Sequence, residues 1–146
     1  MSFIKIEKKI KKFNKNLTTS GDKSLSIRWA LLASQSPFKS KSYNLLTSED
    51  VLNTLKCLKK LGVKIKLTKK FCEVFGVGLN GFKYKKSLSL DAGNSGTLGR
   101  LIMGLLVHCR NSIILKGDKS LSKRDFLRVS KPLEKFGAKF KTNSGK

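Results

Sequence analysis

Residues 56–66 read KCLKKLGVKIK, and residues 131–141 read KPLEKFGAKFK. Each is the tail of an amphipathic helix, then a glycine, then a run in which apolar and basic residues alternate. Glycine just past the last apolar-periodic residue lets a helix turn left-handed and stop. Alternation with period two is the mark of a half-buried strand. The order helix, Gly62, strand thus recurs as helix, Gly137, strand. A supersecondary unit written twice predicts an α/β protein of repeated units, with helices packed behind mixed sheets.

A second repetition lies around the first. GDKSLSIR occupies 21–28 and GDKSLSKR occupies 117–124, a separation of 96 positions with seven of eight letters shared. Asp22 or Ser24 can cap a helix starting at Lys23, in which Leu25, Trp29 and Leu32 follow i, i+4, i+7 spacing and Pro37 ends the run. In SEDVLNTLKCLKKLG, Ser48 is the cap, Val51, Leu55 and Leu58 line one face, and Gly62 is the stop. VKIKLTKKFCEVF reads as a hairpin with Lys69 and Lys70 near its turn. Further strands are expected at 4–13, 42–46, 112–116 and 138–143. A mostly apolar helix, Leu98 to Val107, is expected to be buried. RDFLRVSKPLEKFG is a second amphipathic helix with Phe126, Val129, Leu133 and Phe136 on its core side and Pro132 as a kink.

At 146 residues the chain suits one domain or part of one. No apolar run is long enough to span a bilayer, and the N-terminus lacks a secretory h-region, so a cytoplasmic location is expected. Cys57, Cys72 and Cys109 are widely spaced and His108 is the sole histidine, which argues against a metal site, a disulfide framework or a Ser/His nucleophile. His108 is expected to cap a helix C-terminus.

The net charge of +23, from 32 basic and 9 acidic residues, would suit a nucleic-acid binder, and a basic nucleic-acid-binding module is the alternative function. Yet the lysines are spread through every segment, and few aromatics alternate with them as stacking platforms would. A solvated, lysine-rich surface is the simpler account, and nucleic acid is not the favoured partner.

Chemistry concentrates where Gly- or Ser-rich stretches feed helices: residues 21–28, 91–100 and 117–124. Free N–H groups and the positive end of the helix dipole make such junctions receptive to phosphate or carboxylate. Lys23 can serve as a point charge, Ser24 can donate a hydroxyl, and Arg28 can grip an anion bidentately. A turn with an N-cap explains the Gly, Asp and Ser but not the Lys and Arg. In GNSGT, Gly96 permits close backbone approach while Asn94 and Thr97 supply hydrogen bonds. The spacing fits neither a Walker A loop nor a dinucleotide fingerprint, and packing through small residues is the plain alternative.

Taken together, GDKSLSIR, SEDVLNTLKCLKKLGV, DAGNSGTLGRLIMGLL and GDKSLSKR, in that order from about Gly21 to Lys141, resemble the N-terminal part of the EPSP synthase (3-phosphoshikimate 1-carboxyvinyltransferase) family. They are closer to it than to the related UDP-N-acetylglucosamine enolpyruvyltransferases. The resemblance implies βαβαββ-type units in an inverse α/β barrel-like enolpyruvyltransferase domain, of which residues 1–146 are an incomplete N-terminal part, with the second domain absent. It implies transfer of the enolpyruvyl group of phosphoenolpyruvate to the 5-hydroxyl of shikimate 3-phosphate, releasing phosphate, on the route to chorismate and aromatic amino acids. No metal or organic cofactor is implied.

Carried over by motif, Lys23, Ser24 and Arg28 would bind shikimate 3-phosphate. Lys23, Asn94, Gly96, Thr97 and Arg124 would bind phosphoenolpyruvate. By the same resemblance the octapeptides look alike because related units recur. The catalytic carboxylates would come from the second domain, so the chain alone is expected to turn over negligibly, or to pair with a separately encoded second half. Asp125 stands where the family usually has Pro, and a carboxylate beside Arg124 is expected to compete for its charge.

Overall fold

From Lys23 the chain runs through α1 (Lys23–Gln35), β1 (Lys39–Tyr43), α2 (Glu49–Lys60), β2 (Lys64–Leu67) and β3 (Phe71–Phe75). It continues through β4 (Leu88–Asp91), α3 (Gly96–Leu106), β5 (Ile113–Lys116), the single turn α4 (Lys119–Ser122) and α5 (Leu127–Glu134). The computed structural model describes residues 4, 5, 7, 8, 12, 14 and 16–142. Half of the strand expected over 4–13 therefore lies outside the described residues. The described residues within it are not in a strand.

The two glycine-stopped helices end in the same hydrogen bonds. Gly62 sits at φ 89° and Gly137 at φ 92°. The Gly62 N–H donates to Lys59 and the Val63 N–H reaches back to Leu58 at 3.1 Å, while Gly137 donates to Glu134 and Ala138 to Leu133 at 3.2 Å. This pairing satisfies carbonyls that the last helical turn would leave bare. Superposing Gly62 on Gly137 in sequence matches α2 with α5, β1 with β5 and α1 with α3. That register is 75 positions, whereas the octapeptides are 96 apart. One octapeptide opens α1 and the other opens α4, so they are not equivalent places in the repeat. What they share is local: Asp22 Oδ1 accepts the Leu25 N–H at 2.7 Å, and Asp118 Oδ1 accepts the Leu121 N–H at 2.7 Å. The expectation that the octapeptides look alike because related units recur is corrected accordingly; a capping motif recurs wherever a helix starts in this way.

Helices occupy the middle. α1 packs against α2, α3 and β3, and α2 packs against β2 and β4. Sheet β1-β3-β2 is wholly antiparallel, and β4-β5 is parallel, so neither is mixed within itself. The hairpin is as expected, with the Thr68 hydroxyl accepting the Phe71 N–H at 3.0 Å across the turn. The strand expected at 42–46 lies instead at Lys39–Tyr43, because Asn44 adopts φ 58° and leaves the ladder. Its Lys-Ser alternation has weak strand propensity and is held by pairing with β3.

On α1 the buried face is Ser26, Ile27, Ala30, Leu31, Ala33 and Ser34, while Leu25 and Leu32 are 67% and 69% exposed. The expected stripe is thus the outer one. α1 is apolar on both sides, so periodicity alone cannot choose. The face with alanines and serines admits neighbouring helices to close range, and fully burying Ile27 contributes on the order of 1.5–3 kcal/mol. α2 buries Val51, Leu55 and Leu58 as read, though the Ser48 hydroxyl makes no cap hydrogen bond.

α3 buries only Leu98, Gly99 and Ile102, together with Gly96 at its start, and Leu101 is 39% exposed, so it is half-covered rather than buried. Phe126, Val129 and Leu133 are partly buried, but Phe136 is 90% exposed because α5 ends at Glu134 and turns at Gly137. Pro132 lies inside α5 and offers no N–H to the Arg128 carbonyl. Residues 138–142 are not a strand, since a strand needs a ladder partner and none is described beside them. His108 is exposed just beyond the C-cap Val107. Cys57 and Cys72 are core residues whose thiols are pushed up by burial, and Cys57 Sγ donates to the Asp91 carbonyl at 3.2 Å. No helix among the described residues is long and apolar enough to cross a membrane.

Candidate functional site

Parallel strands end side by side, and the loops that leave them are brought together. β4 ends at Asp91 and β5 at Lys116, which are register partners. The Ala92 N–H donates to the Lys116 carbonyl at 2.9 Å, and the Asp118 N–H donates to the Gly93 carbonyl at 2.8 Å. The 92–96 loop and the second octapeptide are therefore stitched together at the carboxyl ends of the strands, the place where open α/β sheets gather ligands.

From there α3 begins, with Ser95 buried as N-cap and its Oγ accepting the Leu98 N–H at 3.3 Å. Gly93 takes φ 56°, and a side chain added there would meet Asn53 Nδ2 of α2 at 2.6 Å.

Gly96 is crowded by charge. A Cβ at this position would stand 2.6 Å from Arg124 Nη1 and 2.8 Å from Arg100 Nη1. Two guanidinium groups thus bend over one glycine at a helix N-terminus. Among the described residues, neither makes an ion pair with a carboxylate. Like charges that meet over one glycine repel, less where solvent screens them as it does the exposed Arg124. An anion bound between them removes that cost.

Lys23 opens α1, and its Nζ lies 3.1 Å from Asp50 Oδ2 in the first turn of α2. Asn53, one turn further along α2, lies against Gly93, so α2 connects the Lys23 end to the α3 loop. Ser24 and Thr97 are half-buried, and Asn94 is exposed. Arg28 is exposed and, about 140° around the helix from Lys23 at 100° per residue, lies on the same outer side of α1 as Leu25 and Leu32. The structure therefore joins Gly96 and Arg124 directly and ties Lys23 to them through α2. Among the described residues the Arg28 side chain has no hydrogen bond or ion pair.

The EPSP synthase (3-phosphoshikimate 1-carboxyvinyltransferase) family profile matches residues 7–146. The chain belongs to the EPSP synthase family. It is 42% identical over 132 residues to the 3-phosphoshikimate 1-carboxyvinyltransferase of Desulforamulus reducens, covering 90% of this chain and 30% of that protein. It is 45% identical over 130 residues to that of Ruthia magnifica, covering 89% and 30%. The solved EPSP synthase from Acinetobacter baumannii superposes with a TM-score of 0.80 at 36% identity, over 89% of this chain and 30% of that one. The chain thus spans about 30% of the length of the relatives it matches.

In this EPSP synthase-family chain, Asp125 makes no ion pair with Arg124 among the described residues. Its Oδ1 accepts the Leu127 N–H at 2.6 Å and starts α5, while its carbonyl accepts Arg100 Nη2 at 3.1 Å. One carboxylate oxygen is thus engaged at the start of α5 rather than by the adjacent guanidinium. Arg100 and Asp50 are residues that sequence reasoning missed. Arg100 had a signal, standing four residues after Gly96 on the same helical face. Its guanidinium lies 5.3 Å from the Phe126 ring centroid, and its Nε is buried without a partner. Asp50 had none, since nothing local links it to a lysine 27 positions away.

Proposed function

We propose that this chain forms part of the substrate-binding half of an enzyme that transfers the enolpyruvyl group of phosphoenolpyruvate to the 5-hydroxyl of shikimate 3-phosphate, releasing phosphate. The observation carrying this reading is the pair of guanidiniums over Gly96 with no carboxylate between them. Two neighbouring guanidiniums without a carboxylate attract an anion, and both substrates are anions. Lys23, Ser24 and Arg28 hold shikimate 3-phosphate in this reading. Lys23, Asn94, Gly96, Thr97 and Arg124 hold phosphoenolpyruvate.

Free charged metabolites place the work in the cytoplasm. Residues 1–146 are then a partial N-terminal domain, and the acid and base groups come from a second domain on the same or a separate chain. Without them, proton transfer loses on the order of a hundred- to ten-thousandfold in rate.

The test is calorimetric titration of the 146-residue chain with each substrate, and with both. Arg124→Ala should weaken phosphoenolpyruvate binding at least about tenfold while sparing shikimate 3-phosphate, because a charge-assisted contact contributes about 1.5–3 kcal/mol. Lys23→Ala should weaken both. Unchanged affinities in both variants would overturn the site, and phosphate release by this chain alone at an ordinary enzymatic rate would overturn the division of labour.

A further inference from the structure

The outer face of the antiparallel sheet carries a pattern that no single strand shows. Cys72 and Val74 of β3 point into the core, which turns Phe71, Glu73 and Phe75 outward. The register then lays Lys39, Phe75 and Lys64 in one row, Lys41, Glu73 and Lys66 in the next, and Tyr43 opposite Phe71 in the third. Four lysines and three aromatics share one face with a single acid. Glu73 is already held by Lys39 at 3.5 Å and Lys41 at 4.0 Å. The ammonium groups stand over the rings: Lys41 is 4.1 Å from the Phe71 centroid and 5.0 Å from Tyr43, and Lys64 is 5.2 Å from Phe75. At the Phe71 end the sheet opens into a recess of about 600 Å³ walled by Asn44, Thr68, Lys69 and Lys70.

We propose that this face binds single-stranded nucleic acid, with bases stacked on Phe71, Phe75 and Tyr43 and phosphates held by Lys39, Lys41, Lys64 and Lys66. Charge complementarity selects a polyanion, and ring faces between the charges select one whose own flat groups are free. A duplex keeps its bases stacked on each other and can use only the lysines. An ammonium over a solvent-accessible ring is held more weakly than a stacked base, so a base displaces it and the freed lysine turns to the adjacent phosphate. An anionic membrane could use the lysines but leaves the regular spacing of rings and charges unused. The scarcity of aromatics beside lysines along the chain therefore misleads, because the alternation runs across strands. The proposal does not depend on the enzymatic reading, since the face lies on different elements from Gly96 and Arg124.

The test uses the 146-residue chain and a fluorescein-labelled dodecauridylate, followed by anisotropy at several sodium chloride concentrations. With four phosphates neutralised, log K against log salt should fall with a slope of about −3 for a single strand. The Phe71→Leu, Phe75→Leu double variant keeps apolar bulk and removes the rings, and should bind at least about tenfold more weakly with the slope unchanged. The Lys41→Gln, Lys66→Gln pair, on outward-facing positions that leave packing intact, should flatten the slope by about 1.4. Amide shifts on titration should concentrate in β1, β2 and β3. Equal affinity for a duplex of the same length, wild-type binding by the phenylalanine variant, shifts spread over the whole chain, or tighter binding to phosphatidylserine vesicles than to the oligonucleotide would each overturn the proposal.

Discussion

At Gly96 the two arginines set a limit that can be measured. An alanine methyl would collide with Arg124 Nη1 and Arg100 Nη1, which are the far ends of flexible side chains, so the fold can yield there at low cost. Gly96→Ala should therefore shift stability by less than about 1 kcal/mol, since only side-chain ends must move and alanine favours the helix over glycine by a similar amount. It should also weaken phosphoenolpyruvate binding about tenfold by moving the guanidiniums that would grip it, the loss of roughly one charge-assisted contact. Thermal melting beside calorimetric titration checks both halves, and a large stability loss with intact binding would contradict the geometry. Gly96 was legible in the sequence because a glycine in a helix-starting loop advertises close approach. The reason for it was not, because its neighbours come from Arg100, one turn on, and Arg124, a separate element away.

At the scale of elements, Gly62 and Gly137 offer a paired comparison. Both take a left-handed φ, yet a Cβ at Gly62 would lie 2.7 Å from the Lys83 carbonyl oxygen, whereas one at Gly137 meets nothing within 4 Å. Gly137→Ala should cost about 1 kcal/mol for the backbone conformation alone. Gly62→Ala should cost roughly 2–3 kcal/mol, since backbone must also give way. Urea midpoints at unchanged m-value separate the two. Equal losses would mean that the contact with Lys83 is not rigid. The stops at Gly62 and Gly137 and the cap at Asp22 were readable from sequence because each depends on residues within one turn of it. The choice of buried face on α1 was not, because Leu25 and Leu32 are as apolar as Ile27 and Leu31, and only the neighbouring helices distinguish them.

For the molecule as a whole, the net charge of +23 is the dominant fact. Raising sodium chloride from about 0.01 M to about 0.15 M shortens the screening length from roughly 30 Å to roughly 8 Å. Self-repulsion across the domain then falls, and the melting temperature should rise by a few degrees. A flat or falling melting temperature over that range would show that like-charge repulsion contributes little to the stability of this fold.

The sequence by itself determined that helices and strands alternate, that helices stop at Gly62 and Gly137, and to which family the motifs point. Caps, periodicity and motif spacing are properties of neighbouring residues and survive without a fold. Only the tertiary structure decided which side of α1 is covered, that Arg100 joins Arg124 over Gly96, and that lysines and aromatics interleave on the β1-β3-β2 face. Each of these depends on strands and helices distant in the chain meeting in one register, and the free energy that selects that register comes from burial, which no local stretch contains.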